Sequence, residues 1–195
     1  MNSMPVNNSY RTGITFLLLV GLRLISEAHH FFSPMHLPDA TLAVYFLAGR
    51  YIRQYWSWPA LFLVGLASDY SMIHYRGVSN FCFTSAYTFL VFAYGAMWYA
   101  GRLTRDRRID RLGDLGQLAG AAAIATAIAF LISNGSFYWL SGRYPDTTVG
   151  GYIANAATYL PRYMATPWFW LGVAAVIEFC LLQWRALARR SASDS

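Results

Sequence analysis

Apolar stretches recur from one end of this chain to the other, and that recurrence limits its fold more than any motif does. Crossing the hydrocarbon of a bilayer takes about 20 residues of helix. Six stretches reach or approach that length, at 13–28, 39–53, 57–75, 80–101, 117–140 and 166–184, the second (ATLAVYFLAGRYI) being the shortest. Only 12% of residues are charged, against about a quarter in soluble domains, so no polar half remains for a second domain. The expected fold class is all-α: one polytopic membrane domain of six transmembrane helices.

Arginine placement orients those helices. All 15 basic residues are arginine, and they lie between apolar runs rather than in one patch, which argues against a nucleic-acid partner. The loop RLTRDRRIDRLGDLG carries Arg102, Arg105, Arg107, Arg108 and Arg111; the tail carries Arg185, Arg189 and Arg190; the short second connection carries Arg50 and Arg53. The alternate loops hold only Arg76, Arg143 and Arg162. Cytoplasmic loops retain positive charge, so both termini are expected in the cytoplasm, with the chain multi-pass in a bacterial inner membrane. Trp56, Trp58, Trp98, Trp168, Trp170 and Trp184 fall at expected span ends, where amphipathic rings prefer to sit. The first apolar run holds Arg23 and Glu27 and no small-residue cleavage site, and reads as a retained helix.

This orientation gathers the reactive side chains at the outer face. His29 and His30 end the first span, His36 lies in the first loop, and His74 ends the third. Asp69 lies within the third span, where a carboxylate is costly and marks a candidate site. Ser79 or Asn80 is a natural N-cap for the fourth span. That would put Cys82 in its first turn, where the helix dipole favours a thiolate able to act as nucleophile or metal ligand. Tyr87, five residues on, would be rotated by roughly 140° from Cys82. The fifth loop, SGRYPDTTVGGYIANAATYLPRYMATP, is long, holds Arg143 and is rich in Tyr, Asn and Thr. Such a collection suggests a pocket open to the outside. Blander roles are expected elsewhere: Cys180 as an apolar filler, Glu178 paired with Arg50 or Arg53, and Arg23 with Glu27 at i, i+4. No disulfide between Cys82 and Cys180 is expected.

Several chemistries lack their motifs. There is no GxxxxGK[ST] phosphate loop, HExxH, GxSxG or dinucleotide fingerprint, and no histidine pair lies at mid-span for a haem.

Taken together, short helices and outer-end loops resemble the substrate-binding S-components of energy-coupling-factor vitamin transporters. More closely, SDYSMIHYRGVSNFCFTSAY and LISNGSFYWLSGRYP resemble the BtuM family of solitary cobalamin (vitamin B12) transporters. The resemblance covers about residues 13–184. It implies an S-component-like bundle, uptake of cobalamin or cobinamide, and no intrinsic cofactor. It also implies Cys82 as axial ligand of the substrate's cobalt, with removal of cyanide from cyanocobalamin as a Cys82-dependent side activity. His30, Asp69 and Tyr87 correspond to pocket residues, with His29 and Arg143 as further candidate substrate contacts. Helix 1 departs from S-components: ITFLLLVGLRLISEA has Gly21 but no small-xxx-small pair. Docking on a shared ATPase module is therefore not expected. The rival readings are a transporter of another vitamin, a membrane enzyme modifying a corrinoid or lipid through Cys82, and an assembly factor.

Overall fold

The computed structural model describes residues 6–32, 38–77, 79–81, 83–107 and 112–193, of which 6–8, 27–32, 112, 182 and 185–193 are described by backbone alone. Among them are six α-helices and no strand: α1 (Val6–Phe32), α2 (Thr41–Tyr51), α3 (Ser57–Arg76), α4 (Leu90–Leu103, entered through a 3-10 turn at Ser85–Phe89), α5 (Leu112–Leu140) and α6 (Val149–Ser193). The all-helical class stands.

The short helix α2 is the hub. Its residues from Thr41 to Arg50 are all buried, as expected of a helix enclosed on every side. It packs on α1, α3, α4 and α6. Its 11 residues extend about 16 Å, roughly half the thickness of a hydrocarbon core.

The tightest junction joins α2 to α4. A Cβ on Gly49 would overlap the carbonyl oxygen of Trp98 and lie 3.1 Å from the Arg102 amide nitrogen. A Cβ on Gly101 would overlap the carbonyl oxygen of Phe46 and lie 3.0 Å from the Arg50 amide nitrogen. The two backbones therefore touch because neither residue carries a side chain, as at small-residue crossings in membranes. Ala48-Gly49-Arg50 and Ala100-Gly101-Arg102 repeat the same tripeptide, and the helices cross there in parallel. Each arginine then serves the other helix. Arg50 Nη1 donates to the Thr104 carbonyl at 2.5 Å, and Arg102 Nη1 to the Arg53 carbonyl at 2.7 Å. Arg105 donates to the Gly49, Arg50 and Ile52 carbonyls. Cations thus satisfy the carbonyls left over at helix C-termini. Desolvation, then the neighbouring Arg102 and Arg53, lower the Arg105 pKa, yet a guanidinium stays charged at neutral pH.

Two stretches, Gly113–Leu140 and Val149–Leu181, are long and apolar enough to cross a membrane. The most apolar window of the second is only 6% buried by protein, whereas the core helix of a soluble protein hides most of its apolar surface.

The expected long fifth loop is corrected: α6 begins at Val149 and runs 45 residues through Pro161 and Pro167. Thr148 starts it, accepting the Gly151 amide on its hydroxyl at 3.1 Å and the Tyr152 amide on its carbonyl at 2.9 Å. Each proline deletes one helical hydrogen bond, to the Ala157 and Tyr163 carbonyls, yet the helix continues through both. The fourth helix is corrected as well. Residues 79–81, 83 and 84 are not helical; the Phe83 amide closes a turn on the Asn80 carbonyl, and Thr84 is extended. Ser79 accepts the Phe81 amide at 3.2 Å, which makes it a turn former rather than a helix cap. Trp98, expected at an interface, is buried and donates to Ser57 Oγ at 3.1 Å.

Candidate functional site

Away from the arginine-capped end, α3, the 3-10 turn, α5 and α6 enclose a cleft of about 370 Å3. Helix α5 supplies Phe130, Ser133, Asn134 and Phe137, a stripe at i, i+3, i+4 and i+7 that a helix presents on one face. Tyr159 and Tyr163 come from α6 and Asp69 from α3, while Ala86, Tyr87 and Leu90 come from the turn and the start of α4. Aromatic and aliphatic faces dominate, with a few polar atoms among them, as in small-molecule sites generally.

Those polar atoms are organised. Tyr87 donates its phenol to Asp69 Oδ2 at 2.5 Å, a short charge-assisted bond. The rotation of roughly 140° from position 82 expected for Tyr87 on a continuous α-helix is not seen. Tyr87 sits on a 3-10 turn, where the helical angle does not apply. Ser133 Oγ and the Tyr163 hydroxyl lie 3.2 Å apart. Asn134 donates to Asn155 Oδ1 at 3.3 Å, and Asn155 to the Tyr144 hydroxyl at 2.8 Å. The Asn134 Oδ1 atom is buried with no partner among the described residues, so an acceptor is left for a ligand donor or a water.

The mouth of the cleft is tied to the α5–α6 connection. Gly142, with a left-handed φ of 68°, ends α5, and Tyr138 pins the connection by bonding both the amide and the carbonyl of Thr148. Arg143 Nε donates to the Phe81 carbonyl at 3.3 Å, and its guanidinium lies 4.8 Å from the Phe81 ring centre. Phe81 packs on Phe137 (5.6 Å) and Phe83 on Tyr87 (4.8 Å). The neighbours of position 82 on both sides are thus anchored to wall residues of the cleft.

Asp69 and Tyr87 are therefore brought together, and Arg143 holds the segment beside them. Cys82 and His36 lie outside the described residues, as do the side chains of His29, His30 and Glu27. His74 is exposed on α3, stacked on Tyr70 at 3.9 Å, and is absent from the cleft wall. Cys180 is free and exposed on α6. Glu178 meets Arg50 at 3.8 Å and accepts from Tyr51 at 2.7 Å.

Sequence reasoning passed over Ser133, Asn134 and Tyr163; adjacent polar residues inside an apolar run were the available signal. Arg23 was expected to pair with Glu27, whose side chain lies outside the described residues. Arg23 is 2% exposed and donates to Thr41 Oγ1 at 2.5 Å, and that hydroxyl donates to Asp39 Oδ1 at 2.7 Å. Its guanidinium occupies the space a side chain at Gly65 would need, 2.8 Å from the Cβ position. No family model and no curated protein matches the chain.

Proposed function

We propose that the chain is a six-span inner-membrane transporter, with both termini cytoplasmic, that receives cobalamin or cobinamide in the cleft from the outer face and mediates its uptake. The observation that carries this reading is the anchoring of Phe81 and Phe83, the sequence neighbours of position 82, to Phe137 and Tyr87 of the cleft wall. Cobalt accepts thiolate. A corrin needs apolar and aromatic walls with donors and acceptors for its peripheral amides, and the phenylalanines, tyrosines, Asp69 and Asn134 supply those types. His29 and His30 complete the proposed substrate contacts. Thiolate bound on one face of the cobalt would weaken a cyanide on the other, which makes decyanation a Cys82-dependent side activity. The exposed apolar length of α6 and the one-sided arginines support the spans and their orientation.

The deciding experiment is the visible spectrum of purified protein mixed with cobalamin, compared with the Cys82→Ser variant. A shifted spectrum in the parent that is lost in the variant is expected. Identical spectra would end the ligand role of Cys82.

A second reading, a transporter of a smaller aromatic vitamin, is favoured by cleft size. At about 370 Å3 the described walls suit the lower end of small-ligand pockets, and a corrin would project beyond them. Under that reading the protein leaves the corrinoid spectrum untouched and Cys82→Ser binds its vitamin normally.

A further inference from the structure

Helices α1 and α6 both pack on α2 but scarcely meet each other. The groove between them, about 650 Å3, is closed at one end by the last residues of α2 and the connection after it. Its lining changes character along its length. Arg11, Thr12 and Thr15 of α1 share the lining with Arg53 and Gln54 at the end that carries the arginine caps, where Leu181 of α6 also lies; one to two turns further, Leu18 and Leu19 share it with Ala174 and Ile177. From Arg11 to Leu19 the rise is about 12 Å, so the polar and apolar parts are separated as headgroup and upper acyl chain are.

The charges are matched in the same way. The guanidiniums of Arg11 and Arg53 have no hydrogen-bond or ion-pair partner among the described residues. The other charged wall residue, Glu178, is engaged by Arg50 and Tyr51. Arg102 and Arg105 lie close to Arg53, so the polar end has an excess of cations over anions. Phosphate oxygens take bidentate arginine contacts well, and basic pockets between helices at the cytoplasmic leaflet suit anionic headgroups.

We infer that this groove is a binding site for an anionic phospholipid, its phosphate held by Arg11 and Arg53 and one acyl chain lying along Leu18, Leu19 and Ile177. The lipid would act as a wedge that fixes α1 against α6. The inference needs these two helices to face lipid, and it stands whether the cleft at the other end takes a corrinoid or a smaller vitamin.

Thermal unfolding of the full chain in uncharged detergent tests it, with phosphatidylglycerol, phosphatidylcholine and inorganic phosphate as probes. Phosphatidylglycerol is expected to raise Tm by about 4 °C or more, and the other two to leave it unchanged. Arg11→Gln with Arg53→Gln should raise the phosphatidylglycerol concentration needed by about thirtyfold, one contribution from each arginine. Arg107→Gln, a charge loss outside the groove, should not. An equal response to phosphatidylcholine, a shift reproduced by inorganic phosphate, or an unchanged requirement in the double variant would overturn the inference. If the double variant does not fold, native mass spectrometry of Arg53→Gln decides instead: retention of phosphatidylglycerol equal to that of the parent protein counts against the site, and reduced retention supports it.

Discussion

Gly49 and Gly101 each lie against the backbone of the other's helix, Gly49 beneath the Trp98 carbonyl and Gly101 beneath that of Phe46. The contact is reciprocal, because the same Ala-Gly-Arg tripeptide stands at both places. Closeness of the two backbones is also what lets Arg50 and Arg102 reach across to the opposite helix ends.

Gly49→Ala or Gly101→Ala should therefore push α2 and α4 apart. Overpacking of this kind costs about 1–3 kcal/mol, and both variants should unfold at lower temperature in detergent. Since one displacement relieves both overlaps, the double variant should lose less than the sum of the singles. Strict additivity would show that the two contacts are independent.

Arg50 and Glu178 are expected to differ in weight although they face each other. Arg50 is 6% exposed and also bonds the Thr104 carbonyl at 2.5 Å, so Arg50→Gln should cost about 2 kcal/mol. Glu178 is 31% exposed at 3.8 Å, where solvent screens the pair, and Glu178→Gln should cost below about 1 kcal/mol. Equal losses in thermal unfolding would mean that the ion pair, rather than the helix cap, carries Arg50.

At the cleft, Tyr87→Phe removes the hydrogen bond to Asp69 and keeps the ring against Phe83. If the cleft takes cobalamin as proposed, its affinity should fall about tenfold, the scale of a lost hydrogen bond to a charged group, and Asp69→Asn should weaken binding similarly. Titration by absorbance reads both. Normal affinity in both variants would remove this pair from the proposed binding site.

Orientation is open to cysteine labelling in an otherwise cysteine-free chain. Asp106→Cys, beside the arginine caps, should react only with reagent admitted to the cytoplasm, and Asp146→Cys, in the α5–α6 connection, only from outside. The reverse pattern would turn the proposed entry side of the cleft around.

Replacement of Asn134 probes its unpartnered acceptor. Asn134→Leu removes that acceptor and the bond to Asn155 while filling similar volume. It should weaken substrate binding more than it lowers stability, because an orphaned buried acceptor gains most from a ligand's donor. A drop in stability with unchanged binding would make Asn134 purely structural.

Helical character, and the positions of most of the apolar helices, can be read from the amino acids alone. Length and hydropathy act locally, so α3 at Ser57–Arg76 falls almost on the expected 57–75, and α5 ends at Leu140 as expected. The pairing of Glu178 with Arg50 was legible too, since charges of opposite sign at similar depth have few other partners. The remaining features come from how the helices pack. Whether Pro161 and Pro167 end a helix or sit within one cannot be read from a proline count; here the helix capped at Thr148 runs through both. The start of the fourth helix moved from 80 to the turn at Ser85 because a hydrogen bond from Phe83 to Asn80 and the extended backbone of Thr84 outweigh a cap-like Ser79. That shift removes the first-turn helix dipole on which the expected reactivity of Cys82 rested. The partnership of Asp69 with Tyr87, the stripe from Phe130 to Phe137 facing Tyr163, and the Gly49–Gly101 crossing all join residues far apart in the chain. Such contacts follow from how helices pack, and packing is set by shape across all of them at once.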